Sequence, residues 1–171
     1  MEAAKPVALP GLAADEARLQ RLIETYAVVA GRADAVGEAQ ALAEQLSLEV
    51  HSYGLALRQA LFPALPAGAA DEAALARCER IAARAAGAPL LPEQRDARVA
   101  ELAAALTDVV MQQRLHLWPR LPEAQCAVLD RAYADSVDVA RTTWQRLRTR
   151  GEAPENEDAD PVGPRGGGDG A

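Results

Sequence analysis

The chain has 171 residues, which suits a single domain, and half of them are apolar although only 4% are aromatic. Its net charge of -7 argues against a general nucleic-acid binder, and two cysteines are too few for a disulfide scaffold or a cysteine-rich zinc site. The chain shows no signal peptide and no run of about 18 apolar residues, so we expect a cytoplasmic protein that does not contact a membrane.

Both ends of the chain differ from the middle. Residues 1–11 contain two prolines and a glycine without periodicity, so we expect a flexible lead. Residues 151–171 hold six acidic side chains, one basic side chain and a single large apolar residue, a composition that predicts a disordered acidic tail rich in glycine and proline. Partner binding by this tail stays an alternative that no motif supports. Residues 12–150 then form the folded domain.

Apolar residues recur at three- and four-residue steps in five segments of this domain. Asp71 is a candidate N-cap of the third segment, Gly87 ends it, and Pro92 is a favourable first residue of the fourth. No segment alternates with a period of two. The sequence therefore predicts an all-α protein, an up-down bundle of four long helices with a fifth, C-terminal helix, over segments near 13–31, 38–62, 71–87, 92–118 and 122–147.

Two of these helices end with similar text. LRQALFPALP at 57–66 matches QRLHLWPRLP at 113–122, with an offset of 56 residues that pairs Phe62 with Trp118 and Pro63 with Pro119. We call these two stretches the aromatic–proline endings. A shared way of stopping a helix explains them, and they indicate that the second and fourth helices are corresponding halves of a pseudo-symmetric bundle.

The aromatic–proline endings resemble those of the hemerythrin-like (HHE cation-binding) family, whose second and fourth helices often end in His-x-x-x-Glu-Glu-x-x-Leu-Phe-Pro. ETYAVV in the first helix and RCERI in the third add weaker similarity, so that the resemblance covers roughly residues 15–122. It implies a helical bundle in which histidines and glutamates of four helices hold two iron ions.

None of the metal ligands implied by this resemblance is present. The six corresponding positions carry two phenols, a thiol, an amide and two aliphatic groups, namely Tyr26, Tyr53, Leu57, Cys78, Val109 and Gln113. A di-iron site needs carboxylates and imidazoles, so we expect a degenerate member of the family without metal or cofactor. The resemblance directs these side chains to one central volume, which is either filled by the tyrosines or left as a pocket for a small organic molecule.

If the pocket is catalytic, its side chains permit acid–base chemistry such as cyclisation, isomerisation or dehydration. Tyr26 or Tyr53 would donate a proton or hydrogen bond, Gln113 would orient the substrate, and His116 would act as base. His116 lies on the stripe of Gln113 and is either at the pocket floor or a core histidine beside Trp118. The same residues are compatible with a binding protein and with an enzyme.

Other residues have simpler interpretations. Cys78 is typical of a small buried hydrophobe, and only His116 could make it a nucleophile. We expect His51 to be exposed or packed on another helix, the arginines 58 and 114 to lie at the surface, and Tyr133 and Trp144 to be core residues of the fifth helix.

Two further functions remain open alongside small-molecule binding. The first is a non-catalytic interaction or regulatory domain, with tight packing at the six positions and an exposed apolar patch elsewhere. The second is a metalloprotein with atypical tyrosine and cysteine ligands. Alanine-rich helix faces also allow a homo-oligomer, although nothing in the sequence fixes a dimer.

Overall fold

A computed structural model describes residues 9–65, 68–87 and 90–150 of the chain. The protein is all-α, as predicted, and no strand occurs within these ranges. The proposed tail at 151–171 and residues 1–8 of the proposed lead lie outside them. The α-helices are α1 (Pro10–Ala30), α2 (Val36–Ala56), α3 (Ala69–Ala86), α4 (Pro92–Gln112) and α5 (Glu123–Arg150).

The first helix begins earlier than the sequence suggests. Pro10 occupies its first turn, where the missing N–H of proline costs nothing. The next two backbone N–H groups, of Gly11 and Leu12, donate to the Asp130 carboxylate of α5 at 2.8 and 3.1 Å. Leu9 and Leu12 are buried, so residues 9–11 belong to the folded domain and not to a flexible lead.

The N-termini of α3 and α4 are stabilised by hydrogen bonds to an acidic and an amide side chain. Asp71 is not the N-cap of α3, because that position belongs to Gly68. Its carboxylate instead accepts a hydrogen bond from the Gly68 N–H at 3.0 Å, from inside the first turn. Pro92 begins α4 as predicted, and the Gln94 side chain accepts from the Leu91 N–H at 3.2 Å.

The aromatic–proline endings share one backbone conformation. Each long helix widens into five residues of π-helix, Leu57–Leu61 and Gln113–Leu117, and then tightens into a 3₁₀ turn, Phe62–Ala64 and Trp118–Arg120. Proline lacks an N–H, and its ring clashes with the carbonyl four residues back, so a widened turn before it satisfies both constraints. The two endings therefore match in backbone conformation as well as in sequence.

The core consists of two groups of buried side chains. Helix α2 packs against α1, α3 and α5, while α4 packs against α1 and α3. The larger core cluster is centred on the C-terminal ends of α2 and α4, and the smaller one on the end of α1 and the start of α2. Tyr133 is fully buried, as expected, whereas Trp144 is half-buried against His51, whose ring meets it edge-on at 5.4 Å.

Buried ion pairs join the helices. On α5, Arg141 binds Glu49 of α2 at 2.6 and 2.8 Å and Asp15 of α1 at 2.7 Å. In the π-helical segment that follows α2, Arg58 binds both oxygens of Glu79 of α3 at 2.7 and 2.9 Å. Arg58 is thus half-buried and not the surface residue that we expected, because the carboxylate of Glu79 offsets the loss of its hydration.

Gly54 makes the second of these pairs sterically feasible. It lies on α2 where Glu79 approaches, and a Cβ added there would collide with Glu79 Oε1. Such a contact would force the Glu79 carboxylate away from Arg58. The absence of a side chain at this helical position therefore leaves room for the Glu79 carboxylate beside Arg58.

Candidate functional site

Five of the six family-derived positions come together in the larger core cluster. The buried residues of this cluster include Tyr53 of α2, Leu57 of the π-helical segment that follows it, Cys78 of α3 and Val109 of α4. Gln113 joins them, because the Tyr53 hydroxyl donates a hydrogen bond to Gln113 Oε1 at 2.8 Å. These five side chains therefore share one region of the interior, on three packed helices.

Tyr26 does not belong to this group. It lies in the smaller core cluster with Ala39 and Ala43 of α2, and its hydroxyl donates to Asp96 Oδ1 of α4 at 2.7 Å. The reason is topological: the connection between α1 and α2 is short, so the end of α1 lies beside the start of α2, far along the helix from Tyr53. The expectation that Tyr26 and Tyr53 converge is wrong.

His116 is also displaced from the predicted site. Its side chain is exposed, whereas Gln113 and Leu117 on either side of it are buried. His116 lies inside the π-helical segment, where the wider turn changes the angle between successive residues and ends the α-helical stripe. It is therefore neither a pocket base nor a core histidine.

Tyr53 and Gln113 form the polar centre of the buried group. Tyr53 is 1% exposed, and its ring meets the Tyr133 ring edge-on with centroids 6.4 Å apart. Burial raises the pKa of Tyr53 well above its usual value, and the nearby Glu16 carboxylate raises it further. Tyr53 therefore holds its proton and acts as a hydrogen-bond donor, which matches the interpretation in which it fills the space.

The other hydrogen-bonding group of Gln113 has no partner. Its Nε2 is buried and makes no hydrogen bond within the described part of the chain. An amide donor left unpaired in the interior costs free energy comparable to a lost hydrogen bond, and it is the kind of group for which a ligand or a water molecule supplies an acceptor.

A cleft between α3 and α4 reaches Gln113. It encloses about 300 Å³ and has an apolar wall that includes Ala74, Ala105 and Val109. Three charged side chains lie around it, namely Asp71, Arg77 and Asp108. The cleft opens to solvent, so the surface that a ligand would occupy is on the side of the bundle and not in a closed central cavity.

Cys78 lies in the core close to this cleft but is not activated. Burial raises the pKa of its thiol to about 11, and the carboxylates of Glu79 and Asp108 raise it as well, although Arg77 opposes them. A thiol with such a pKa carries almost no thiolate at neutral pH. Cys78 therefore behaves as the small buried hydrophobe that the sequence suggested.

The described residues contain no cluster of three or more histidine, cysteine, aspartate or glutamate side chains with a geometry suited to a metal ion. Of the atypical ligands considered from the sequence, Tyr53 and Cys78 lie in the same core cluster, whereas Tyr26 lies in the other one. The donor set in the described ranges therefore does not fit a di-iron centre built from histidines and carboxylates.

Sequence reasoning missed Asp96 and Glu16. Nothing local marks Asp96, which acquires its role only because α1 and α4 pack together and bring Tyr26 within reach. Glu16 did carry a signal, because it precedes Leu19, Ile23 and Tyr26 on their three- and four-residue spacing and is an acid at a core position.

No helix in the described ranges combines the length and the apolar character that crossing a bilayer requires. In comparisons with protein-family models, with curated proteins and with solved structures, no match is found for this chain.

Proposed function

We propose that the protein binds a small, neutral organic molecule in the cleft between α3 and α4, without a metal ion. The observation that carries this proposal is the buried, unpartnered Nε2 of Gln113, a residue that lines the cleft. Its Oε1 is already held by Tyr53, which fixes the orientation of the amide and leaves the N–H groups as the available donors. The preferred ligand group is therefore a hydrogen-bond acceptor.

The charges around the cleft narrow the ligand class. Asp71 and Asp108 contribute two negative charges and Arg77 one positive charge, so that the surroundings disfavour a carboxylate ligand. A ketone, ester or amide carbonyl would accept from Gln113 without this repulsion. The volume of about 300 Å³ lies at the lower end of the range for small-molecule sites.

Binding, rather than turnover, is what the side chains support. General acid–base catalysis needs an acid and a base within hydrogen-bond reach of one ligand. Of the side chains first considered for this chemistry, Tyr26 is paired with Asp96 in another cluster and His116 points to solvent. We therefore assign Gln113 and Tyr53 to ligand recognition and positioning, and no residue to proton transfer.

We further propose that the five helices form an up-down four-helix bundle of hemerythrin-like type with α5 added. Two observations support it: α1 and α3 both contact α2 and α4, and the second and fourth helices share their π-helical endings. In this arrangement the Tyr53–Gln113 hydrogen bond replaces the metal ions as the link between α2 and α4.

A non-catalytic interaction domain is the second candidate, and a specific feature favours it. The large apolar side chains Met111 and Leu115 are 54% and 60% exposed, and they are four residues apart near the end of α4. The dense packing around Tyr53 and Cys78 is also compatible with a purely structural core.

Nuclear magnetic resonance titration of ¹⁵N-labelled protein separates the two candidates. Cyclohexanone supplies a carbonyl acceptor, and methylenecyclohexane has the same shape without the acceptor. We expect cyclohexanone, but not methylenecyclohexane, to shift the side-chain amide resonances of Gln113. Gln113→Leu should abolish this difference in affinity between the probes, whereas Gln59→Leu, at an exposed glutamine of the other π-helical ending, should preserve it.

Equal binding of both probes, or an unchanged preference in Gln113→Leu, would refute the proposal. Absence of any binding by either probe would also count against it and would favour the interaction domain.

A further inference from the structure

A second cleft lies on the other side of α4. It is formed by α1 and α4, encloses about 330 Å³ and opens to solvent. Its walls are mainly apolar, with large contributions from Leu19, Ile23, Leu106, Val110 and Met111. This surface shares no lining residue with the cleft at Gln113, so it is a separate place for a ligand.

One polar side chain in this apolar surrounding is incompletely paired. Glu16 is 7% exposed, and its Oε2 accepts from Arg114 Nε at 2.9 Å and from Arg114 Nη2. Its other oxygen, Oε1, is buried and has no hydrogen-bond partner among the described residues. A buried carboxylate oxygen without a donor is costly, so a ligand that enters from the cleft as far as this oxygen and supplies a donor gains free energy.

The balance of charge limits which donor fits. Glu16 and Arg114 are the charged residues lining this cleft, and their charges cancel; the remaining polar side chains at the cleft, Gln20 and Thr107, are neutral. An ammonium ligand would lose its hydration without meeting a net negative charge. A hydroxyl or a neutral N–H can donate to Oε1 while an apolar body covers the leucine and valine walls.

Burial also changes the pKa of the Glu16 carboxylate. Loss of hydration raises the pKa of Glu16, and the hydrogen bonds and positive charge of Arg114 oppose this increase. A neutral donor on Oε1 would add to the stabilisation that Arg114 provides on Oε2, because a hydrogen bond to an ionised acceptor is stronger than one between neutral groups.

From these observations we infer that the α1–α4 cleft is a binding site for a neutral, largely apolar molecule carrying one hydroxyl or N–H group, with Glu16 as its acceptor. The site has the opposite polarity to the cleft at Gln113, where the protein donates and the ligand accepts. The inference does not depend on the proposed function, because the two sites differ in lining, in helix pair and in the group that recognises the ligand.

Phenol and toluene form the matched pair of probes for this site, since they differ only by the hydroxyl and methyl groups. We expect phenol to bind the wild-type protein at least tenfold more tightly than toluene, in the millimolar range suited to so small a ligand, and to shift the methyl resonances of Leu106, Val110 and Met111. This comparison requires no variant and so does not depend on the folding of one.

Three variants test whether Glu16 causes the preference for phenol over toluene. Glu16→Leu should reduce this preference to less than twofold. Arg114 stays hydrated in this variant, because its side chain is 55% exposed. Glu38→Gln, which changes a glutamate in an exposed pair with Arg32, should leave the preference unchanged. Gln113→Leu should also leave the preference for phenol unchanged, because Gln113 lines the cleft between α3 and α4 and not this one.

Equal affinities for phenol and toluene in the wild-type protein would overturn the inference. So would an undiminished preference in Glu16→Leu, or phenol-induced shifts confined to residues of α3.

Discussion

The hydrogen bond between Tyr53 and Gln113 makes a quantitative prediction about two neighbouring tyrosines. Tyr53 and Tyr133 are 1% and 0% exposed and pack edge-to-face against each other. The Tyr53 hydroxyl donates to Gln113 Oε1 at 2.8 Å, whereas the Tyr133 hydroxyl is buried without a hydrogen bond of good geometry. Replacing each by phenylalanine removes one oxygen from nearly the same environment, with little change of shape.

The two replacements should differ in their effect on stability. Tyr53→Phe leaves the Gln113 carbonyl unpaired in the interior, in addition to the Nε2 that already has no partner, and this should lower the free energy of unfolding by about 1–3 kcal/mol. Tyr133→Phe removes a hydroxyl that lies near the Asp15 carboxylate but makes no hydrogen bond of good geometry, so its effect should be smaller, within about 1 kcal/mol of zero.

A double variant isolates the pairwise interaction. Adding Gln113→Leu to Tyr53→Phe replaces both partners by apolar groups, so the pair should cost less than the sum of the two single changes. Urea unfolding followed by far-ultraviolet circular dichroism, with linear extrapolation to water, measures each free energy. A cost of Tyr53→Phe no larger than that of Tyr133→Phe, or strict additivity in the double variant, would contradict the reasoning.

Two further predictions concern other buried groups. Arg141→Met removes the cation that Glu49 and Asp15 share but leaves Arg18 paired with Glu49 at 2.7 Å, so it should cost about 2 kcal/mol in urea unfolding. Arg32→Met, at an exposed pair, should cost less than about 1 kcal/mol, and similar losses in the two variants would refute a role for burial. Because the pKa of Cys78 is raised from 9.0 to about 11, the unfolded chain loses the thiol proton first, and the free energy of unfolding should fall between pH 9 and 11. Cys78→Ala should show a smaller fall over this range, and an identical pH profile would contradict the assignment.

Features that depend on short-range chemistry could be predicted from the order of the amino acids. Three- and four-residue spacing of apolar side chains located the five helices, because each turn of helix places such residues on one face. Proline fixed the start of α4 and the ends of the helices before Pro63 and Pro119. The offset of 56 residues between the aromatic–proline endings was also visible, and their common π-helical conformation follows from the constraint that proline imposes locally.

Local patterns could not supply angular details that depend on the width of a turn. The stripe through Gln113 was extended to His116 on the assumption of a regular α-helix, and the π-helical segment placed that histidine in solvent. The position at which α1 begins could not be predicted locally either. The first backbone N–H groups of α1 donate to Asp130, which is 119 residues away from Gly11.

The tertiary structure alone decided which side chains meet. Tyr53 and Gln113 are 60 residues apart, Tyr26 and Asp96 are 70 apart, and Glu16 and Arg114 are 98 apart. Whether a buried polar atom is paired depends on the side chains that other helices present to it, and spacing along one helix carries no information about them. Both ligand proposals depend on two such atoms, Gln113 Nε2 and Glu16 Oε1, which only the packing of α4 against its neighbours leaves buried without partners.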